Sequence, residues 1–372
     1  MATAGLEVAA GLASQPPRHS RADLRFSHTK GLPLLLRRLG ISVLVSTYQA
    51  GRVVTLAAPS DDQLKVDTTS FPQAMGLARW PKGLVVGSQS EIWQLYGNAD
   101  VASRFEELPV GRPDMAFMTT QSHFCGPVEA HEISVADPDI WFVNTHFNCL
   151  CTLEAPFSFR VRWKPPFINQ VLAGDRCHLN GLAMNPVTRS PSHVTALAES
   201  NELNGWRVDK QNSGVIIDVQ NNEIVARGLC MPHSPRLIDK SLYFLNSGKG
   251  ELCRLNLESS SIEVLARLNG YLRGLDIYNG LAFVGMSKAR DQKTFGDTPI
   301  TSQPSDLNCG MAVVNLNDGK ILATFAFQNF IDEVFSVLVL PGYTSPALFG
   351  PNPQFDSKPP IWWAAATEEL RL

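Results

Sequence analysis

Six segments of the chain share one short pattern, a polar approach followed by an apolar alternation that opens on a small residue or a histidine. They are Gln73-Ala-Met-Gly-Leu-Ala, Glu129-Ala-His-Glu-Ile-Ser, His178-Leu-Asn-Gly-Leu-Ala, His233-Ser-Pro-Arg-Leu-Ile, Tyr271-Leu-Arg-Gly-Leu-Asp and Ile331-Asp-Glu-Val-Phe-Ser. Anchored on Leu77, Ile133, Leu182, Leu237, Leu275 and Phe335, they recur every 38 to 60 residues. A loose period of this size, with short strand-like runs between the repeats, is the mark of a blade array. Such a fold gathers the starts of its innermost strands around one axis, so residues distant in sequence come to share one site.

The intervening runs are rich in Val, Ile, Leu, Phe and Thr and are split by Gly, Asn, Asp and Pro, as strands are. Five repeats are each followed by three more strands, the four-stranded meander of a propeller blade. The sixth is not: after 334–340 the chain turns proline-rich. Three unclaimed strands at 41–47, 52–57 and 63–68 complete it. The chain is therefore expected to be all-β, a six-bladed β-propeller over residues 31–342 whose N- and C-terminal strands share the last blade and leave no open edge. Residues 1–30 read as a flexible arm, and 343–372 as a tail packed on the outside.

Bulk properties narrow the function. A net charge of −3 with 18% charged residues gives no footprint for nucleic acid or an anionic membrane. No apolar run approaches the length of a membrane span, and Met1 to Ser20 lacks the basic and apolar regions of a secretory signal. Seven cysteines with no CxxC pair argue against a disulfide framework and point to the cytoplasm. Cys149 and Cys151 read as small buried hydrophobes on one strand face. No nucleotide-binding motif is evident.

The distinctive residues fall where a propeller gathers its inner-strand starts. Two residues before the anchors stand Met75, His131, Asn180, Pro235, Arg273 and Glu333, and four before them Gln73, Glu129, His178, His233, Tyr271 and Ile331. Both sets should point into the axial channel, because strand side chains alternate. The loops between second and third strands add His146, Trp206, Arg207 and Lys249. His131, His178 and His233 are expected to ligate one divalent metal, zinc or iron or in some settings copper, with positions left open. The competing reading is that each histidine ties a loop to backbone carbonyls. Arg273, Arg207, Arg236 and Lys249 are read as holding an anionic group, with Trp206 beside them, since guanidinium forks recognise carboxylate or phosphate. Bridging between blades is the alternative for these arginines, and outweighs it for Arg236. Glu333 reads as a fourth ligand or base, and Tyr271 or His146 as proton carriers. Cys177 and Cys230 read as core.

Several longer strings, Ser46-Thr-Tyr-Gln-Ala-Gly, Arg176-Cys-His-Leu-Asn-Gly-Leu-Ala, Met231-Pro-His-Ser-Pro-Arg, Leu245-Asn-Ser-Gly-Lys-Gly-Glu-Leu and Val284-Gly-Met-Ser-Lys-Ala-Arg, resemble those of a family of bacterial propeller proteins of unknown function. The likeness runs from about residue 40 to 342; it implies the fold and no established reaction. The three-histidine set is similar, at fold level only, to that of zinc amidating lyases and iron carotenoid oxygenases.

The expected function is a metal-dependent enzyme acting on a small or peptidic substrate with an anionic group, by lyase, cyclase or oxidative chemistry in a tailoring step of secondary metabolism. The alternative is a non-catalytic scaffold for a peptide or carbohydrate, with Trp206, Trp362 and Trp363 as exposed anchors.

Overall fold

The computed structural model describes residues 24–106, 108, 111–289, 296–302 and 307–361. Its strands form six sheets that radiate from one axis, each built on four antiparallel strands. Blade 1 joins the two ends of the chain: β25 (Ser336–Pro341) is innermost and pairs with β2 (Ile41–Thr47), followed by β3 (Arg52–Ala57) and β4 (Lys65–Ser70). Blade 2 is β5 (Leu77–Trp80), β6 (Gly83–Gly87), β7 (Glu91–Asn98) and β8 (Met115–Phe124). Blade 3 is β9 (Ala130–Ala136), β10 (Asp139–Asn144), β11 (Cys149–Thr152) and β12 (Arg160–Trp163). Blade 4 is β13 (Leu179–Met184), β14 (Pro191–Ala196), β15 (Gly214–Asp218) and β16 (Glu223–Leu229). Blade 5 is β17 (Pro232–Ile238), β18 (Ser241–Asn246), β19 (Glu251–Asn256) and β20 (Ile262–Arg267). Blade 6 is β21 (Tyr271–Tyr278), β22 (Leu281–Ser287), β23 (Gly310–Asn315) and β24 (Ile321–Phe327).

Burial explains the sequence pattern. Inner and middle strands lie between neighbouring blades on both faces, so β2, β11 and β14 are buried at every position and read as continuous rather than alternating runs. Outermost strands such as β20 are largely exposed. The apolar clusters lie between adjacent sheets: Leu245, Leu252, Leu272, Leu275 and Val284 pack blade 5 on blade 6.

Two short strands go beyond the four-strand pattern. β1 (Phe26–His28) pairs with β24, adding a fifth strand to blade 6 from residues assigned by sequence to the arm. β26 (Pro346–Phe349) adds a parallel fifth strand to blade 2 against β8. The tail beyond it is fixed by buried charge. Lys358 and Asp67, each about 1% exposed, pair at 2.8 Å, and Lys358 Nζ also donates to Thr69 Oγ1 at 2.8 Å and to the Leu348 carbonyl at 2.5 Å. Asp356 accepts from Arg52 and from the backbone and hydroxyl of Ser70. The expected anchors Trp362 and Trp363, and residues 1–23 of the arm, lie outside the described residues. Among the described residues the one sizeable helix, α1 (Leu32–Leu39), turns Leu32 and Leu36 onto the core beside β2. Among the described residues no helix is long and apolar enough to cross a membrane.

Candidate functional site at the axial mouth

A backbone device recurs where four of the inner strands enter the channel. Gln73, Glu129, His178 and Met231 all adopt left-handed φ, between 48° and 53°, in four successive blades. Non-glycine residues take this region at a cost, and persist there only when the surroundings hold them. Two residues after each come Met75, His131, Asn180 and His233, which thereby occupy one structural position. In blade 6 that position falls to Arg273: Ser287 follows it by 14 residues, as Thr145 follows His131 and Ser247 follows His233.

This register corrects one anchor. Leu237 pairs with Leu242 as Val135 pairs with Ile140, so it lies two residues beyond the position that Ile133 holds in blade 3. His233, not Pro235, therefore matches His131, and it leads a bulged stretch in which Ser234 also takes positive φ.

The histidines share a further arrangement. His131 Nδ1 lies 3.1 Å from the Glu129 carbonyl and 2.8 Å from Thr145 Oγ1, whose own proton goes to the Leu179 carbonyl. His233 Nδ1 lies 2.9 Å from the Met231 carbonyl and 3.1 Å from Ser247 Oγ. A carbonyl can only accept, so both imidazoles carry their proton on Nδ1 and present a lone pair at Nε2. Burial, with the neighbouring His178 and Arg273, holds His131 well below the ordinary histidine range; burial and Arg273 do the same to His233. Both are neutral bases at physiological pH.

His178 is the half-buried member. Its Nδ1 donates to Asp175 Oδ2 at 2.6 Å, its backbone N–H bonds to Asp175 Oδ1, and its ring stands 4.9 Å from that of His131, edge to face. Asp175 also accepts from Trp206 Nε1 at 2.7 Å. Burial alone would raise the Asp175 carboxyl, but His178 and Trp206 outweigh it and bring the group below its usual range. The result is an aspartate–histidine dyad, with Nε2 of His178 free of hydrogen bonds among the described residues. Arg273 donates to Glu333 Oε1 at 2.9 Å, and its guanidinium sits over Phe335, 3.9 Å from the ring centroid. Phe335 in turn touches His131 and stacks with Tyr48.

Other expected site residues are placed differently. Trp206 is not an exposed anchor: it is about 1% exposed, packed between His178 and the guanidinium of Arg207. Tyr271 is fully buried, its hydroxyl 3.7 Å from Met231 Sδ in an apolar cluster, and burial pushes its pKa up, so it is not placed to carry protons. Glu333 is tied to Arg273. Arg236 is enclosed in an ion pair with Glu132 at 2.9 Å, the two coming from blades on either side of blade 4. Asp276 acts on both, and itself pairs with the exposed Arg79 at 3.5 Å. Lys249 is exposed at the tip of its turn, and the ring of half-buried His146 meets Phe147. Cys177 and Cys230 are buried thiols, their pKa raised by burial, that for Cys230 to about 11. Among the described residues no three His, Cys, Asp or Glu side chains are grouped to hold a metal ion. Each of His131, His178 and His233 is hydrogen-bonded through its own Nδ1.

Sequence reasoning gave no site role to Asp175, Phe335 or Tyr48. Asp175 carried a usable signal, lying three residues before a histidine on the same mouth loop.

A six-bladed propeller whose mouth carries histidine bases and a guanidinium packed on an aromatic ring, with the Arg236–Glu132 ion pair between blades, is the class that this geometry defines. By sequence, the chain belongs to the family described as Domain of unknown function (DUF4915), which it matches over residues 30–349. Among curated proteins nothing matches it. Solved structures similar to it include one described as a nidogen/laminin complex, at 10% identity, TM-score 0.48, covering 81% of this chain and 98% of that one. A protein of unknown function from Bacteroides caccae gives 10% identity and TM-score 0.48 with the same coverage. Virginiamycin B lyase from Staphylococcus aureus gives 12% identity and TM-score 0.39, over 66% of this chain and 73% of that one.

Proposed function

We propose that the axial mouth binds a small carboxylate and moves a proton on it, with His178 as the base. The observation that carries this reading is the Asp175–His178 dyad: the carboxylate fixes the imidazole by its Nδ1–H and leaves Nε2 to take a proton, as orienting partners do for catalytic histidines. Arg273 is the group for the substrate carboxylate. Glu333 uses one of its donors and Phe335 packs against it, while its remaining N–H groups are unbonded among the described residues. Fixed donors and dipoles of this sort stabilise charge that develops on the substrate.

The reaction class that fits is a β-elimination, a lyase step. His178 Nε2 takes the proton from the carbon next to the carboxylate, and the C–H electron pair becomes the new C=C bond. The leaving group departs from the neighbouring carbon with its own electron pair and receives the proton back from the imidazolium. No step needs a redox partner.

The test starts from a thermal-shift screen of small carboxylic acids. Hits are then incubated in D2O with wild type, His178→Gln and Arg273→Gln, and deuterium at the α-carbon is read by mass spectrometry. Exchange by wild type, lost in His178→Gln with binding retained, and loss of binding in Arg273→Gln, would support the reading. Hits that bind without exchange in any form would sink the proton-transfer role and leave a binding scaffold.

A further inference from the structure

Asn180 sits in blade 4, in the position that His131 holds in blade 3 and His233 in blade 5. It is about 3% exposed, its Oδ1 accepts from Thr195 Oγ1 at 2.6 Å, and its Nδ2 has no partner among the described residues. Buried amide donors are almost always satisfied, and the other buried asparagines of these loops are. Asn148 bonds through both ends, to Arg176 and Cys177 backbone N–H and to the Gly174 carbonyl. Asn246 joins Cys230 N–H to Glu251. Asn180 alone of these three holds a donor back, and it holds it at the ring position between two imidazoles that offer only lone pairs at Nε2.

Three consecutive blades therefore present acceptor, donor, acceptor. A carboxylate or carbonyl oxygen satisfies Asn180 but gives nothing to the two imidazoles. An apolar chain satisfies none of the three. Hydroxyl groups both accept and donate, and neighbouring hydroxyls match the whole row. We infer that the row His131–Asn180–His233 reads hydroxyl groups, so that the substrate is a hydroxylated carboxylate, the sugar acids being the simplest class. This rests on the mouth being the carboxylate site of the proposed function and adds the part of the substrate that Arg273 does not touch.

Three probes separate the two ideas: sodium D-glucuronate, with carboxylate and hydroxyls; D-glucose, with hydroxyls only; and sodium cyclohexanecarboxylate, with carboxylate only. Binding to the full chain is measured by titration calorimetry or ligand-observed NMR for wild type, Asn180→Asp and Arg273→Gln. Asn180→Asp keeps size and the Thr195 bond and turns the donor into an acceptor. It should weaken glucuronate and glucose by about tenfold or more, the scale of one buried charged or polar mismatch, and leave cyclohexanecarboxylate unchanged. Arg273→Gln should do the reverse, sparing glucose. Should Asn180→Asp misfold, Asn180→Ser replaces it, with the same expected pattern. Glucuronate bound no better than cyclohexanecarboxylate, or indifferent to the Asn180 variants, would overturn the hydroxyl inference and leave the carboxylate reading standing. Glucose and glucuronate bound alike and unaffected by Arg273→Gln would sink the carboxylate reading and keep the row. Wild type binding none of the three would overturn the inference.

Discussion

Acidification should unfold this protein through two particular residues. His131 and His233 are buried neutral, their affinity for protons held well below the ordinary range by burial and by Arg273. In the unfolded chain both titrate near 6.5. Below that pH the unfolded state gains two protons that the native state does not, so stability is full above the unfolded value and is lost as pH falls. The linkage relation gives about 1.4 kcal/mol for each histidine between pH 7.5 and 5.5, or about 3 kcal/mol for the pair. Against a net stability of about 5–15 kcal/mol that loss is large. The assay is urea unfolding at the two pH values for wild type, His131→Gln, His233→Gln and the double variant. Each single substitution should remove about 1.4 kcal/mol of the pH dependence and the double about 3 kcal/mol, whatever it does to stability at pH 7.5. A double variant with the wild-type pH dependence would refute the reasoning, because the histidines would then be charged or exposed in the native state.

Lys358→Met strands the Asp67 carboxylate under the tail. It should cost about 3–5 kcal/mol, with most of the loss recovered by adding Asp67→Asn, and hydrogen exchange should show β26 opening first. Arg236→Met leaves the buried Glu132 carboxylate unpaired; a similar loss is expected in urea unfolding, and Glu132→Gln in the same chain should restore more than half. Gly274 has φ +79°, and a Cβ there would lie 2.6 Å from the Val337 backbone nitrogen. Gly274→Ala should therefore cost more than about 2 kcal/mol by calorimetry, and a cost under about 0.5 kcal/mol would show that blade 1 can yield at this contact.

The blade count and the closure were legible because each repeat carries its own strand signals and because three strands were left over at one end and missing at the other. What escaped lay between blades. β26 pairs in parallel with a strand more than two hundred residues away, and nothing local in Pro346–Phe349 records that partner. The histidine row was visible as residue types, but its register was not: Leu237, the apolar residue that marks the repeat in β17, stands two residues beyond the position of Ile133, and the bulge beside the row recurs in β9 and β21 without a local sequence signal. Arg236 and Tyr271 were named for their chemistry. Their partners, Glu132 and Met231, come from other blades, and the pairing turns one into structure and the other into core. Asn180 was on the right row from the start, but an unsatisfied donor can be recognised only once every neighbour is in place.

Blade 1 holds both ends of the propeller in one sheet, and each end then travels further. β1 continues to the rim of blade 6 and β26 to the rim of blade 2, the two blades on either side of the closing one. The seam where the ring could open is thus spanned on both sides by the strands that make it. Opening it requires the outer pairs to be released before or together with the inner one. Time at temperature, more than the equilibrium midpoint, is where such an arrangement should register: trimming either outer strand should shorten the lifetime of the closed ring before it changes how much of the protein is folded at rest.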